Sequence, residues 1–240
     1  MPESKGQNFT LSATGLKLMA CLFMLIDHVG VRLFPDILLM RIIGRLAFPI
    51  FAFFIAEGCR YTSNRKKHFL SVFLLGCLCE IVYIIYSGAW YGNILFSFTL
   101  SILLIYLMQW CREKNTKAHW LLMGTSIVSL AVLVHYVNFD YGFTGIMSAV
   151  VAAWPGDRYT ANTSPASARN KARLLSFAIC IMLTAFENPL ALYQLFALLS
   201  IPLLAIYSNK AGKKKLKYFF YIFYPVHLLL IEVTAMILGK

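Results

Sequence analysis

The sequence predicts an all-α fold: a polytopic membrane helix bundle of about nine transmembrane helices with a cytoplasmic N-terminus. Three observations carry this. Of the 240 residues, 60% are hydrophobic and 13% charged, and the mean hydropathy is +0.70, far from a soluble domain. The apolar residues come in membrane-length runs separated by short polar connections. Basic residues collect on alternate connections.

Residues 1–13 (MPESKGQNFTLSA) form a polar cytoplasmic tail with too little apolar run for a cleavable signal, so the first helix is expected to act as an uncleaved anchor. The apolar segments then run over 16–34, 37–58, 69–87, 92–111, 120–137, 142–154, 174–187, 189–207 and 218–238. The sixth and seventh fall short of the roughly 20 residues a perpendicular span needs, so they are expected to be thin, partly re-entrant or dependent on neighbours. The one long polar connection, 155–173, offers nothing to bury and is expected to be a flexible cytoplasmic loop. No repeat or soluble domain interrupts the chain, so 1–240 reads as a single transmembrane domain.

Orientation follows from the basic residues. Lys5 and Lys17 precede the first segment, Arg60, Arg65, Lys66 and Lys67 follow the second, and Arg112, Lys114 and Lys117 follow the fourth. Arg158, Arg169, Lys171 and Arg173 follow the sixth, and Lys210, Lys213, Lys214, Lys215 and Lys217 follow the eighth. These are 18 of the 22 basic residues, all on the N-terminal side of the bilayer; the opposite connections carry Asp36, Asp140 and Glu187. The positive-inside rule places that basic side in the cytoplasm and, with an odd number of spans, the C-terminus outside. Topology thus accounts for the net charge of +12, and with no reader motif present no nucleic-acid partner is expected. The six cysteines lie in or beside apolar segments and read as packing residues, implying neither a disulfide framework nor a metal site.

The first two segments hold Asp27, His28, Arg41 and Arg45, although a charge at the bilayer centre costs roughly 2.5–3.5 kcal/mol. At about 1.5 Å per residue, His28 lies roughly 18 Å from the cytoplasmic edge, Glu80 roughly 16 Å and His227 roughly 14 Å, and Arg45, counted from the outer end, again roughly 18 Å. Four helices are thus expected to deliver acid, base and imidazole to one level, the signature of a reactive site. The same layer also reads as a structural network in which Arg45 pairs with Asp27 or Glu80 to hold helices in register.

His28, mid-depth and beside an acid, points to proton transfer. Asp27 projects about 100° away from it and is placed to orient a partner on another helix. Arg41 and Arg45 share a face suited to phosphate, carboxylate or a developing oxyanion, though Arg41 also lies where snorkelling explains it. Glu57 and Arg60 mark a cytoplasmic entrance or merely the interface. Pro49, Pro189 and Pro225 read as helix-shaping, Pro225 loosening the backbone before His227. The aromatic run KYFFYIFYPVHLLLI is dense enough to line a cavity, and the lysines of GKKKLK are explained by topology or by a phosphate.

The blocks LKLMACLFMLIDHVG, RIIGRLAFPIFAFFIAEG, GCLCEIVY, DYGFTG and FYIFYPVHLLLI together resemble the TraX family, whose named member acetylates the N-terminus of a conjugative F-type pilin subunit. The resemblance spans Leu16 to Ile231, and the YPVHL block is shared more widely with transmembrane acyltransferases. It implies transfer of an acyl group, acetyl from cytoplasmic acetyl-CoA, to an amine or hydroxyl of an acceptor (small molecule, glycan or peptide N-terminus) reached in or across a bacterial inner membrane. It implies that His28 is the central residue, with Asp27, Arg45, Glu80 and His227 around it; the expected site is then His28, Asp27, Arg45 and Glu80 as catalytic residues, with Arg41, His227, Tyr224, Glu57, Arg60 and Tyr141 binding substrate or cofactor, and no metal. The alternatives are a proton-coupled transporter or permease, disfavoured by the lack of an inverted repeat, and a non-catalytic membrane assembly factor.

Overall fold

The computed structural model describes residues 10–154, 166–187, 192–208 and 216–239. They are helical almost throughout, and each predicted segment carries a helix. Among the described residues, five stretches are long and apolar enough to cross a membrane: Leu38–Tyr61, Arg65–Ile85, Ile94–Lys114, Lys117–Tyr136 and Phe219–Ile237. The expected nine thus include five helices of spanning length and composition, with two shorter apolar helical stretches, Gly142–Ala153 and Leu192–Ala205.

Packing divides the chain into two compact units, Met1–Ile50 with Leu199–Lys240, and Phe51–Leu198. In the first, α1 (Ala13–Leu33) starts at Ser12, whose hydroxyl accepts from the Gly15 N–H at 3.2 Å and satisfies one of the orphan donors of the first turn. It packs on α2 (Leu38–Gly44) and, across the unit, on α10 (Lys217–Ile237). The α1–α2 approach is close because glycine stands at its contact points: a Cβ at Gly30 would meet Met40, and one at Gly44 would collide with Asp27. Leu11 pairs with Tyr207, just beyond α9 (Ser200–Ala205), in an isolated parallel bridge.

The predicted second segment is not one uninterrupted helix. After α2 the chain tightens, Arg45 N donating to the carbonyls of Arg41 and Ile42 and Leu46 N to that of Ile43, before α3 (Ala47–Tyr61) resumes. The bonds to Ile42 and Ile43 are i→i−3, of the 3-10 type, and Arg45 shares its N–H between the i−3 and i−4 carbonyls at this turn.

The second unit contains α4 (Arg65–Ser87), α5 (Ile94–Lys114), α6 (Lys117–Tyr136), α7 (Gly142–Ala153) and α8 (Ala166–Glu187). Its centre is α5, whose Ile102, Ile105, Met108 and Cys111 are fully buried. Small polar residues let helices close on α5: Ser101 Oγ donates to the Ile146 carbonyl at 2.7 Å and Ser97 Oγ to that of Asp140 at 2.7 Å, the device membrane helices use where apolar attraction does not discriminate. By contrast α6 exposes Leu121 and Val128.

Two boundaries differ from the sequence reading. The expected loop 155–173 is helical from Ala166 on, because Arg173 turns into the unit and is 3% exposed. The eighth segment becomes a 3-10 helix, Leu192–Leu199, running into α9. The rest of the loop, residues 1–9 of the tail, Pro189 and the lysines at 210 and 213–215 lie outside the described residues.

Candidate functional site

The first unit joins two imidazoles from opposite ends of the chain. Nδ1 of His28, on α1, lies 3.0 Å from Nε2 of His227, on α10. Nδ1 of His227 in turn lies 2.7 Å from the Phe223 carbonyl one turn earlier. A carbonyl only accepts, so His227 in its neutral form carries its proton on Nδ1 and presents a lone pair at Nε2, to which His28 donates from its own Nδ1. The lone pair of His28 is therefore on Nε2, and two hydrogen bonds in series fix it there. His227 is 3% exposed, stacked on Phe223 and edge-on to Tyr224, so its ring has little freedom to turn.

Asp27, the residue before His28, projects about 100° around the helix from it. Asp27 accepts from Arg41 at 2.8 Å and from Arg45 at 3.1 Å; these three carry a net positive charge, and Arg45 Nε also reaches the Arg41 carbonyl. Two guanidiniums on one carboxylate leave cationic character beside a neutral imidazole, suited to a developing oxyanion. Here α1, the end of α2 and α10 bring together Asp27, His28, Arg41, Arg45 and His227.

Between α1 and α10 lies an open groove of about 270 Å³ lined by Leu25, Val29, Leu33, Phe223, Val226, His227, Leu230, Ile231 and Thr234. Apart from His227 and Thr234 its walls are apolar.

The remaining predicted site residues belong to the second unit. Glu80 is 2% exposed; its Oε1 accepts from the N–H groups of Tyr91 (2.6 Å) and Gly92 (2.9 Å), and its Oε2 from Asn93 N (3.1 Å) and Nδ2 (2.7 Å). Four donors on one carboxylate tie the turn between α4 and α5, a structural use of the acid. Glu57 accepts from Arg173 Nη1 at 2.6 Å, with Arg60 at 3.9 Å; Arg173 also donates to the Ala152 carbonyl and lies 3.9 Å over the Phe53 ring. That network joins α3, α7 and α8. Tyr141 takes a left-handed conformation, φ 62°, at the start of α7.

The model of the TraX protein family matches residues 12–235. The chain belongs to the TraX family. It is 24% identical to Protein TraX of Escherichia coli over 227 residues, 92% of this chain and 86% of that protein. It is 25% identical to a probable fimbrial assembly protein FimC, serogroup H1, of Dichelobacter nodosus, over 97% of this chain and 99% of that one. A third relative, the uncharacterized protein RP591 of Rickettsia prowazekii (strain Madrid E), is 31% identical over 140 residues; there the match spans 57% of this chain and 52% of the relative. No solved structure matches. Family and apolar helices together make this TraX-family chain a multi-pass membrane protein.

Sequence reasoning missed two pairings in this TraX-family chain. Arg32 donates from Nε to Glu232 at 2.9 and 3.2 Å, and Arg173 pairs with Glu57. Glu232, an acid inside an apolar segment, was a visible signal for the first. Arg173 was hidden among the loop cations.

Proposed function

We propose that this chain is an integral membrane acyltransferase that passes an acetyl group from cytoplasmic acetyl-CoA to an amine or hydroxyl, with His28 as general base. One observation carries the reading: the Phe223 carbonyl, His227 and His28 form a hydrogen-bonded series that leaves the His28 lone pair on Nε2. An imidazole held in one tautomer and oriented by a second group is the arrangement general-base catalysis uses. The names of its TraX and fimbrial assembly relatives favour a peptide N-terminus as acceptor. The N-terminus lies in the cytoplasm and the protein in the bacterial inner membrane, on the strength of the basic residues.

In the reaction, Nε2 of His28 takes a proton from the acceptor as its nitrogen or oxygen attacks the thioester carbonyl. The negative charge gathering on the carbonyl oxygen is met by Arg41 and Arg45, an effect worth about 2.7–4 kcal/mol per donor in comparable sites. Collapse of the tetrahedral intermediate breaks the carbon–sulfur bond and expels the CoA thiolate, which recovers the proton from His28. His227 steadies the imidazolium through Nδ1–H of His28. Asp27 is a positioning residue that holds both guanidiniums. Glu80 shapes the α4–α5 turn.

The test is purified protein in liposomes with acetyl-CoA and an amine-bearing peptide. Thiol release that requires the acceptor and disappears in His28→Ala supports the transferase. Solute or proton flux without thiol release supports a transporter instead.

A further inference from the structure

We propose that Arg32 and Glu232 are a positioning pair that sets the register of α1 against α10, and so keeps His28 Nδ1 within hydrogen-bonding reach of His227 Nε2. Nε of Arg32 donates to both carboxylate oxygens of Glu232, at 2.9 and 3.2 Å. Arg32 follows His28 by four residues and Glu232 follows His227 by five, so the ion pair repeats the imidazole contact about one helical turn further on. The two contacts join the same helices.

Packing alone is poorly placed to fix this register. Leu25, Val29 and Leu33 of α1 and Val226, Leu230 and Ile231 of α10 line an open groove of about 270 Å³, with Val226 and Leu230 themselves exposed, where a close-packed interface would interlock. Within a bilayer the hydrophobic effect does not press one helix on another. Pro225 has no N–H to give to the helix two residues before His227, which loosens α10 where precision is needed. Register therefore falls to polar ties. A slip of one residue, about 1.5 Å, would open the 3.0 Å contact between the rings. Register is a matter of geometry, whereas its consequence for turnover rests on the transferase reading above.

The experiment uses the full-length protein with ¹⁵N-labelled histidine in lipid nanodiscs and reads the ¹⁵N–¹⁵N coupling through the hydrogen bond between the two rings. The coupling is expected in the unaltered protein, lost in Arg32→Gln and in Glu232→Gln, and regained in the inverted double variant Arg32→Glu with Glu232→Arg. A coupling that persists in either folded single variant overturns the proposal, as does a well-folded inverted variant that fails to regain it. Arg32→Lys keeps the charge and guards against misfolding of the neutral variants; it is expected to weaken the coupling, and an unchanged coupling there also counts against the pair. Thiol release absent from the unaltered protein, with a coupling that still follows the ion pair, sinks the transferase and leaves the positioning role standing.

Discussion

His28 and His227 meet ring to ring, their centroids 5.0 Å apart and their planes inclined by 49°, across 199 residues of chain. The inclination lets one N–H address the other ring's lone pair in a line. Because the Phe223 carbonyl claims the far proton of His227, the pair has a direction.

Removing His28 should abolish the base and little else. His28→Ala is expected to lower acceptor-dependent thiol release about 10²–10⁴-fold. His227→Ala should lower it less, since it frees the tautomer of His28 and leaves the base in place. Steady-state rates on reconstituted protein, with helix content checked by circular dichroism, decide between them.

Asp27→Ala should damage stability more than either histidine change. It leaves two guanidiniums facing each other in a largely buried setting, where removing one partner of a buried pair costs about 3–5 kcal/mol. Arg41→Ala should cost less, because Asp27 keeps Arg45 at 3.1 Å. Thermal unfolding in detergent compares the two.

Gly44→Ala and Gly124→Ala form a matched test. The methyl group at 44 would collide with Asp27, whereas a Cβ at 124 meets nothing within 4 Å. The first should lower the unfolding temperature and disturb the Asp27 ion pairs. The second should leave activity intact and raise stability by up to about 1 kcal/mol, the helix-propensity difference.

Glu80→Ala separates a structural acid from a catalytic one. It strands the donors of Tyr91, Gly92 and Asn93, each buried unmet donor costing about 1–3 kcal/mol. The yield of folded protein should drop, while the rate per folded molecule stays near that of the unaltered protein. A fully folded variant with no activity would return Glu80 to the chemistry.

Much of this was readable beforehand because lipid leaves few options. An apolar run of membrane length must be helical, so the helices arose where hydropathy placed them. An ionisable group in such a run must find a partner, so Asp27, His28, Arg41, Arg45 and His227 were conspicuous before any coordinates. Depth, however, is only one coordinate of three. Glu80 was assigned to the layer by depth alone, yet the N–H groups of a turn eleven to thirteen residues later fill its oxygens, a local contact that periodicity does not reveal. Arg173 was counted with solvated cations because its neighbours in sequence are polar; its burial comes from a tertiary acid on α3. The interruption after Gly44 falls within a run that hydropathy alone reads as one membrane-length segment, 37–58, and the close approach of Gly44 to Asp27 is a tertiary contact that hydropathy does not reveal.

The one-way series of hydrogen bonds from His28 to the Phe223 carbonyl has a bearing on energetics at the scale of the whole membrane. A proton picked up at Nε2 can be passed no further than His227, whose own Nδ1–H points at a backbone carbonyl that cannot carry it on, so it must leave from the nitrogen at which it arrived. Each turnover is then electroneutral with respect to the bilayer, and an imposed diffusion potential should neither drive the enzyme nor brake it.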